Sequence, residues 1–345
     1  MSVSDGFEKE LIEYCQSEKI SGVLRVTVKD EIKYQAHLGY ANDESRTEFE
    51  KGSMFSFYSM SKPLCAIGLL RLVDKGLVDL DVHPKRYLAE AEGFNEGVTI
   101  RHLLHHVSGL PDFAQSKDFS ERYKAGTNDQ IREQLKILTE YPSFFEPNTK
   151  GMYANINYVI PALIIENVTG IGYADYMRSE VFEPLGMKNA VVDNENLVLK
   201  NRVQGYALED GVRVPTEKGY DWMFGAGDVV GTVDDAYSLN LAYKNRMLLS
   251  AQAWDAVVTP SPINLMGLGN TVHTWHGKKR ITHNGGHKGF RTLHVWLPED
   301  DFDIILLSNS GYGNARADIS EMVYREFYER SEPAEEAIEM DKGYI

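Results

Sequence analysis

"FSFYSMSKPLCAIGLLRLVDKGLVDLD", residues 55–81, is apolar almost throughout, yet it carries Ser59 and, three residues later, Lys62. Leu64, Ile67, Leu70 and Val73 stand three apart, so the spacing predicts a helix over 60–75 that Gly76 stops. Pro63 falls in the first turn, where a backbone N–H has no partner in any case. Lys62 is the only positive charge between Lys51 and Arg71, in a segment too apolar to be a solvated face.

A serine hydroxyl is a poor nucleophile until something takes its proton. A lysine three residues along a helix shares its face. Near a helix start the backbone N–H groups favour negative charge, so they support a developing anion and disfavour an ammonium. Burial lowers a lysine pKa in the same sense. Lys62 can then accept a proton as a neutral amine, or hold another base in its anionic form. The spacing alone is weak, because a chain with this many serines and lysines holds about one such pair by chance. A capping serine beside a solvated lysine is the bland alternative.

Outward from this stretch the chain alternates in type. Residues 5–18 read as a helix with Phe7, Leu11, Ile12 and Cys15 on one face. "GVLRVTVKDEIKYQAHLGYAN" (22–42) reads as two strands around Lys29–Asp30, with Val23, Arg25 and Thr27 alternating with Leu24, Val26 and Val28. Residues 80 to about 220 read as mainly helical, with loops. "TIRHLLHHVSGLPDF" (99–113) opens on Thr99 as a cap, and "NINYVIPALIIENVTG" (155–170) closes on Gly170. "TVDDAYSLNLAYKNR" (232–246) is a helix capped by Thr232 or Asp234. "KRITHNGG", "GFRTLHVWLPED" and "FDIILLSNSG" are strand-like, and "ARADISEMVYREFYER" (315–330) closes as a helix. The fold class expected is α/β (α+β): a sheet drawn from both chain ends, with a mainly helical segment inserted. That gives one discontinuous domain, 1–80 with 225–345, and a second over 81–224, with the active site between them.

The 345 residues carry a formal net charge of −15, which argues against a nucleic-acid partner and gives no attraction to anionic membranes. Cys15 and Cys65 are the only cysteines, and neither stands in a metal or redox motif. The first residues show neither a basic n-region nor an apolar h-region, and no run approaches a membrane span, so the expectation is a cytoplasmic protein. His105 and His106 lack a carboxylate or third histidine at useful spacing, so no metal is expected there. "FGAGDVVGTVDD" (224–235) is not a phosphate loop, since no Gly-Lys-Ser/Thr follows.

Residues 55–81 followed by "TIRHLLHHVSGLPDF" resemble the opening of the serine β-lactamase-related hydrolases, the group of class C β-lactamases, penicillin-binding proteins, D-peptidases and esterases. The likeness runs from about Gly22 to the last helix and implies a β-lactamase/transpeptidase-like fold, its antiparallel sheet flanked by helices. It places the family's first motif on Ser59 and Lys62. The second, Tyr-x-Asn, occurs at Tyr40–Asn42, Tyr153–Asn155, Tyr243–Asn245 and Tyr312–Asn314, and spacing does not choose among them. Only "EPNTKGMYANINYVIPALIIENVTG" (146–170) looks like the family's segment, so the resemblance carries the role to Tyr153 and Asn155. A neighbouring ammonium at Lys62 would lower the Tyr153 pKa, letting a phenolate take the proton of Ser59. Asn155 can hold Lys62 and a substrate amide.

The third motif, Lys/His-x-Gly, fits His283–Asn284–Gly285 or His287–Lys288–Gly289. The first follows the strand "KRIT" directly and is the closer likeness. Gly285 and Gly286 are expected to let the backbone approach substrate. By resemblance the N–H groups of Ser59 and Gly286 form an oxyanion hole. Histidine where class C β-lactamases carry lysine points toward an esterase or D-peptidase. The expectation is a serine hydrolase that forms an acyl-enzyme with a small ester, or with a D-amino-acid amide or peptide, and needs no cofactor. A β-lactamase or penicillin-binding D,D-carboxypeptidase is the alternative, and a catalytically silent ligand-binding member is the alternative of another class.

Overall fold

The computed structural model describes residues 3–113, 128–194, 196–217, 224–311 and 314–330. The strands, in chain order, are β1 (Gly22–Val28), β2 (Glu31–Leu38), β3 (Phe55–Ser56), β4 (Val191–Val192), β5 (Tyr206–Glu209), β6 (Val212–Pro215), β7 (Val229–Gly231), β8 (Thr271–Trp275), β9 (Lys278–His287), β10 (Phe290–Leu297) and β11 (Phe302–Ser308). Six of them form an antiparallel sheet in the order β2-β1-β11-β10-β9-β8, drawn from both ends of the chain.

Tight turns set the registers. The hairpins β1–β2, β5–β6, β8–β9 and β9–β10 turn through Lys29–Asp30, Asp210–Gly211, His276–Gly277 and Lys288–Gly289, every residue at positive φ. Such paired left-handed turns match the twist of two antiparallel strands.

Both faces of the sheet are covered. Leu24, Val26, Ile304 and Leu306 pack with Phe7, Leu11 and Cys15 of the first helix (Asp5–Ser17) and with Ile319 and Val323 of the last (Ala315–Tyr324). Their strand neighbours Val23, Ile305 and Leu307 face the larger core, which holds the helices Lys62–Asp74, Ile156–Thr169 and Val233–Lys244. The alternation read in β1 is thus a strand buried on both sides. Arg25 is buried too, its charge met by Asp234 at 2.6 Å and its Nε by Gln35 at 2.8 Å.

Several local expectations change. The segment over 60–75 begins as a 3₁₀ turn, Tyr58–Ser61, and becomes α-helical at Lys62, with Pro63 in its first turn. Ile12 is 39% exposed, so the first helix buries Phe7, Leu11 and Cys15 without it. The stretch from 80 to 220 also contains β4 and the hairpin β5–β6, which a mainly helical reading omits. Thr232, not Asp234, caps the helix Val233–Lys244, in a reciprocal box with Asp235. No helix among the described residues is long and apolar enough to cross a membrane.

Candidate active site

β3 leads directly into the turn that carries Ser59, the candidate nucleophile, and hydrogen bonds hold that turn. Phe57 N donates to Val229 O at 2.8 Å, Val229 N donates to Ser61 Oγ at 2.9 Å, and Thr292 Oγ1 donates to Phe57 O at 2.8 Å. Tyr58, the residue before the serine, sits at φ +48 with its ring against His287 and Phe290. A non-glycine residue rarely adopts this conformation, and packing here over-determines it. Gly285 makes the close approach possible. A Cβ on it would lie 2.0 Å from Phe57 O and 2.4 Å from Thr292 Oγ1. Its bare α-carbon therefore serves the contact between β9 and the turn that carries Ser59.

Lys62 is fully buried, and its Nζ meets three oxygens: Ser59 Oγ at 3.1 Å, Asn155 Oδ1 at 2.9 Å and Ala226 O at 2.7 Å. Burial pulls its pKa down to about 7, against the opposing pull of Asp112, Cys65 and Asp228. Two of the three oxygens are carbonyls, which only accept. A neutral amine has two N–H donors and one lone pair, so it satisfies both carbonyls and points the lone pair at the Ser59 hydroxyl.

Tyr153 joins the cluster from the other side. Its hydroxyl hydrogen-bonds Ser59, and its ring centroid lies 4.8 Å from Lys62 Nζ. Burial raises its pKa, with the Ser59 bond opposing. The residue is 42% exposed, so burial acts on it less fully than on Lys62. Of the two options left open by the sequence, these directions favour a neutral Lys62 beside a protonated Tyr153 over a phenolate beside an ammonium. His106 stacks under the Tyr153 ring at 4.4 Å, and its Nδ1 accepts from Ala154 N at 3.2 Å.

The geometry also chooses among the repeated motifs. Tyr40 packs against Arg46, Tyr243 is core and bonds Asn270, and Tyr312 lies outside the described residues. On β9, the His283 ring is 6.2 Å from Tyr153, whereas His287 packs on Tyr58. His283 is buried, and burial, then Lys62, pushes its pKa down to about 3. Its Nδ1 lies 2.6 Å from Asn284 O, which fixes the proton there and leaves Nε2 as an acceptor. β8 stops pairing at Thr271↔Thr282, so 283–287 have no strand on that side among the described residues, and Gly286 is exposed there.

A Beta-lactamase family model matches residues 7–328. The chain belongs to the Beta-lactamase family. It is 29% identical over 316 residues to Penicillin-binding protein 4* of Bacillus subtilis, covering 85% of this chain and 69% of that one. Among solved structures it resembles EstCE1, a hydrolase with promiscuous acyltransferase activity, at TM-score 0.78 and 18% identity over 92% of this chain and 98% of that one. A D-stereospecific amidohydrolase from Streptomyces sp. gives TM-score 0.78 at 19% identity over 94% and 99%. Both likenesses establish the fold.

Three charged residues of this family member escaped the sequence reading. Asp112 is buried and accepts from Asn155 N at 2.8 Å and Ile156 N at 3.2 Å. Its signal was an acid inside the Gly/Pro turn of residues 99–113. Asp228 accepts from Gly225 N at 2.7 Å. Arg316 donates to Gly285 O at 2.8 Å, and no carboxylate pairs with it among the described residues. It stands in a helix that the sequence marks only as a closing element.

Proposed function

We propose that this Beta-lactamase family member is a serine hydrolase that works through an acyl-enzyme. Its substrate is a small ester, or an amide or peptide bearing a D-amino acid. The observation that carries this is the set of partners around Lys62 Nζ: two carbonyl acceptors and the hydroxyl of Ser59. In this reading Ser59 Oγ attacks the acyl carbonyl and its proton passes to the neutral Lys62. The N–H groups of Ser59 and Gly286 hold the oxyanion. Tyr153, still protonated, gives its proton to the departing alcohol or amine. The proton on Lys62 restores the phenol. Deacylation retraces these steps with water in the place of the leaving group. Asn155 and His283 position the substrate.

The neutral His283 suits an uncharged substrate, because its Nε2 offers an acceptor and no cation. Arg316 favours a second reading. Its guanidinium, bound to Gly285 O, is a cation beside the same strand and fits a carboxylate-bearing substrate, as in a D,D-carboxypeptidase or β-lactamase. A panel of p-nitrophenyl esters, D-alanyl amides and a chromogenic cephalosporin separates the two. The acyl-enzyme itself is tested by intact mass after incubation with a fluorophosphonate. One adduct on Ser59, absent from Ser59→Ala, is expected. An adduct on Ser56 or Ser61, or turnover surviving in Ser59→Ala, refutes the assignment.

A further inference from the structure

Each carbonyl acceptor of Lys62 Nζ belongs to a backbone segment held by its own aspartate. On the helical side, Asp112 Oδ2 accepts the N–H of Asn155 at 2.8 Å, and Oδ1 accepts those of Ile156 at 3.2 Å and Phe113 at 2.8 Å. The carboxylate thus ties the turn at 112–113 to the start of the helix Ile156–Thr169, next to the Asn155 side chain that Lys62 uses. On the sheet side, Asp228 Oδ2 accepts the N–H of Gly225 at 2.7 Å, closing the loop that presents Ala226 O to Lys62. That loop is wedged tight. Gly225 sits at φ +71, where a Cβ would lie 2.5 Å from Ala162 Cβ and 2.7 Å from Tyr158 O.

We propose that Asp112 and Asp228 are paired positioning residues, which brace Asn155 Oδ1 and Ala226 O so that the lone pair of Lys62 stays aimed at Ser59. The proposal rests on the serine-hydrolase reading. A pair of plain loop caps would serve stability alone. What separates the two cases is charge, because both carboxyl groups also act on Lys62 through space. The other groups facing Lys62 carry no charge near neutrality. They are the Cys65 thiol, whose pKa burial raises to about 12, the rings of Tyr153 and Tyr158 at 4.8 and 5.8 Å, and His106 and His283, both held neutral by burial. The aspartates are the two carboxyl groups that favour the protonated lysine, with Cys65 acting in the same sense. Burial raises both of their own pKa values, that of Asp228 to about 7, so Asp228 is only partly ionised at neutral pH. Its Oδ1 is enclosed with no hydrogen-bond partner.

The test is the rate of fluorophosphonate labelling of Ser59 by the full chain, read by intact mass between pH 5.5 and 9, with thermal midpoints beside it. Wild type should show an acid limb near 7, where Lys62 gains its proton. In Asp112→Asn the limb should move to lower pH by about one unit, since a lysine without that negative neighbour sheds its proton sooner. The plateau should fall on the order of 10–10²-fold, because the amide nitrogen cannot accept a backbone N–H. Asp228→Asn should move the limb the same way by less, its carboxyl being partly neutral already. Asp112→Glu and Asp228→Glu keep the charge and disturb the geometry, so the limb should stay while the plateau falls. Asparagine variants whose limb does not move, or moves up, overturn the proposal while leaving the hydrolase reading intact. If the asparagine variants do not fold, the glutamate variants decide, and a wild-type plateau in either one overturns it. Wild type that takes no label on Ser59 overturns both.

Discussion

Lowering the pH from 8 to 6 should leave the preference between neutral and carboxylate-bearing substrates unchanged, because His283 takes up no proton in that range. An exposed histidine, with a pKa near 6.5, would be roughly 75% protonated at pH 6. His283 is driven to about 3, first by burial and then by Lys62, with the Asn284 carbonyl opposing. At that value only about 0.1% is protonated at pH 6. A histidine that gained its proton toward pH 6 would instead recruit carboxylates there. The assay is kcat/KM for a p-nitrophenyl ester and a chromogenic cephalosporin, at half-unit steps from pH 5.5 to 8.5. Titration of Lys62 affects acylation by both and cancels in their ratio, which should stay within about twofold. A ratio that swings toward the cephalosporin with a midpoint near 6.5 would refute the buried, neutral histidine. Stability must be followed alongside. His283 and His294 both have folded pKa values depressed to about 3, so the unfolded chain binds more protons between there and 6.5. Stability is full above pH 6.5 and falls as pH drops through that window, by about 1.4 kcal/mol per histidine at pH 5.5.

Lys62→Ala and Tyr153→Phe should each cost on the order of 10²–10⁴ in kcat, and the double variant should be little worse than either, since the two groups form one proton-transfer unit. Fully multiplicative losses in steady-state kinetics would show that they act independently. Gly285→Ala places a methyl 2.0 Å from Phe57 O, so β9 or the nucleophile turn must retreat by about an ångström. Thermal unfolding should show a loss of about 1–3 kcal/mol, and labelling of Ser59 should slow on the order of 10²-fold. Wild-type labelling in that variant would show that the contact does not set the serine.

The sheet was legible from both ends of the chain, because its strands carry period-two patterns and end at turn residues. Residues 279–286, 289–300 and 302–311 fall on β9, β10 and β11. The hairpin β5–β6 went unread although Asp210–Gly211 is a strong hairpin signal, because its strands are only four residues each and, Tyr206 apart, half-buried or exposed. Ile12 was misassigned because periodicity marks a face and not how far a neighbouring layer extends over it. In the site, the serine and lysine were visible through their anomalous setting in an apolar run. Which Tyr-x-Asn and which histidine joined them depended on contacts more than 90 residues apart in sequence, such as Lys62 with Asn155. At Gly285 the structure shows a close approach to Phe57 O, a partner that the sequence did not name. A glycine signals a close approach, but not which group approaches.

The sequence left two proton assignments open, a neutral Lys62 or a Tyr153 phenolate as the base, for one physical reason. In water a lysine and a tyrosine have nearly equal proton affinities, 10.5 and 10.0 for Lys62 and Tyr153 before the fold acts. Placing an ammonium beside a phenol then suggests that the tyrosine becomes the base. Enclosure changes that order, because desolvation always penalises the charged form. The acid form of lysine is charged, so burial lowers its pKa, while the acid form of tyrosine is neutral, so burial raises it. Sealing the two side by side must separate their affinities: Lys62 descends to about 7 and Tyr153 climbs. Exclusion of water, complete around Nζ and partial around Tyr153, moves the two affinities in opposite directions. In the arrangement proposed above, the charge of the two aspartates opposes that descent of the lysine. A chain that buried the same side chains without those carboxylates would lose the bracing of Asn155 and Ala226 together with part of the lysine's basicity.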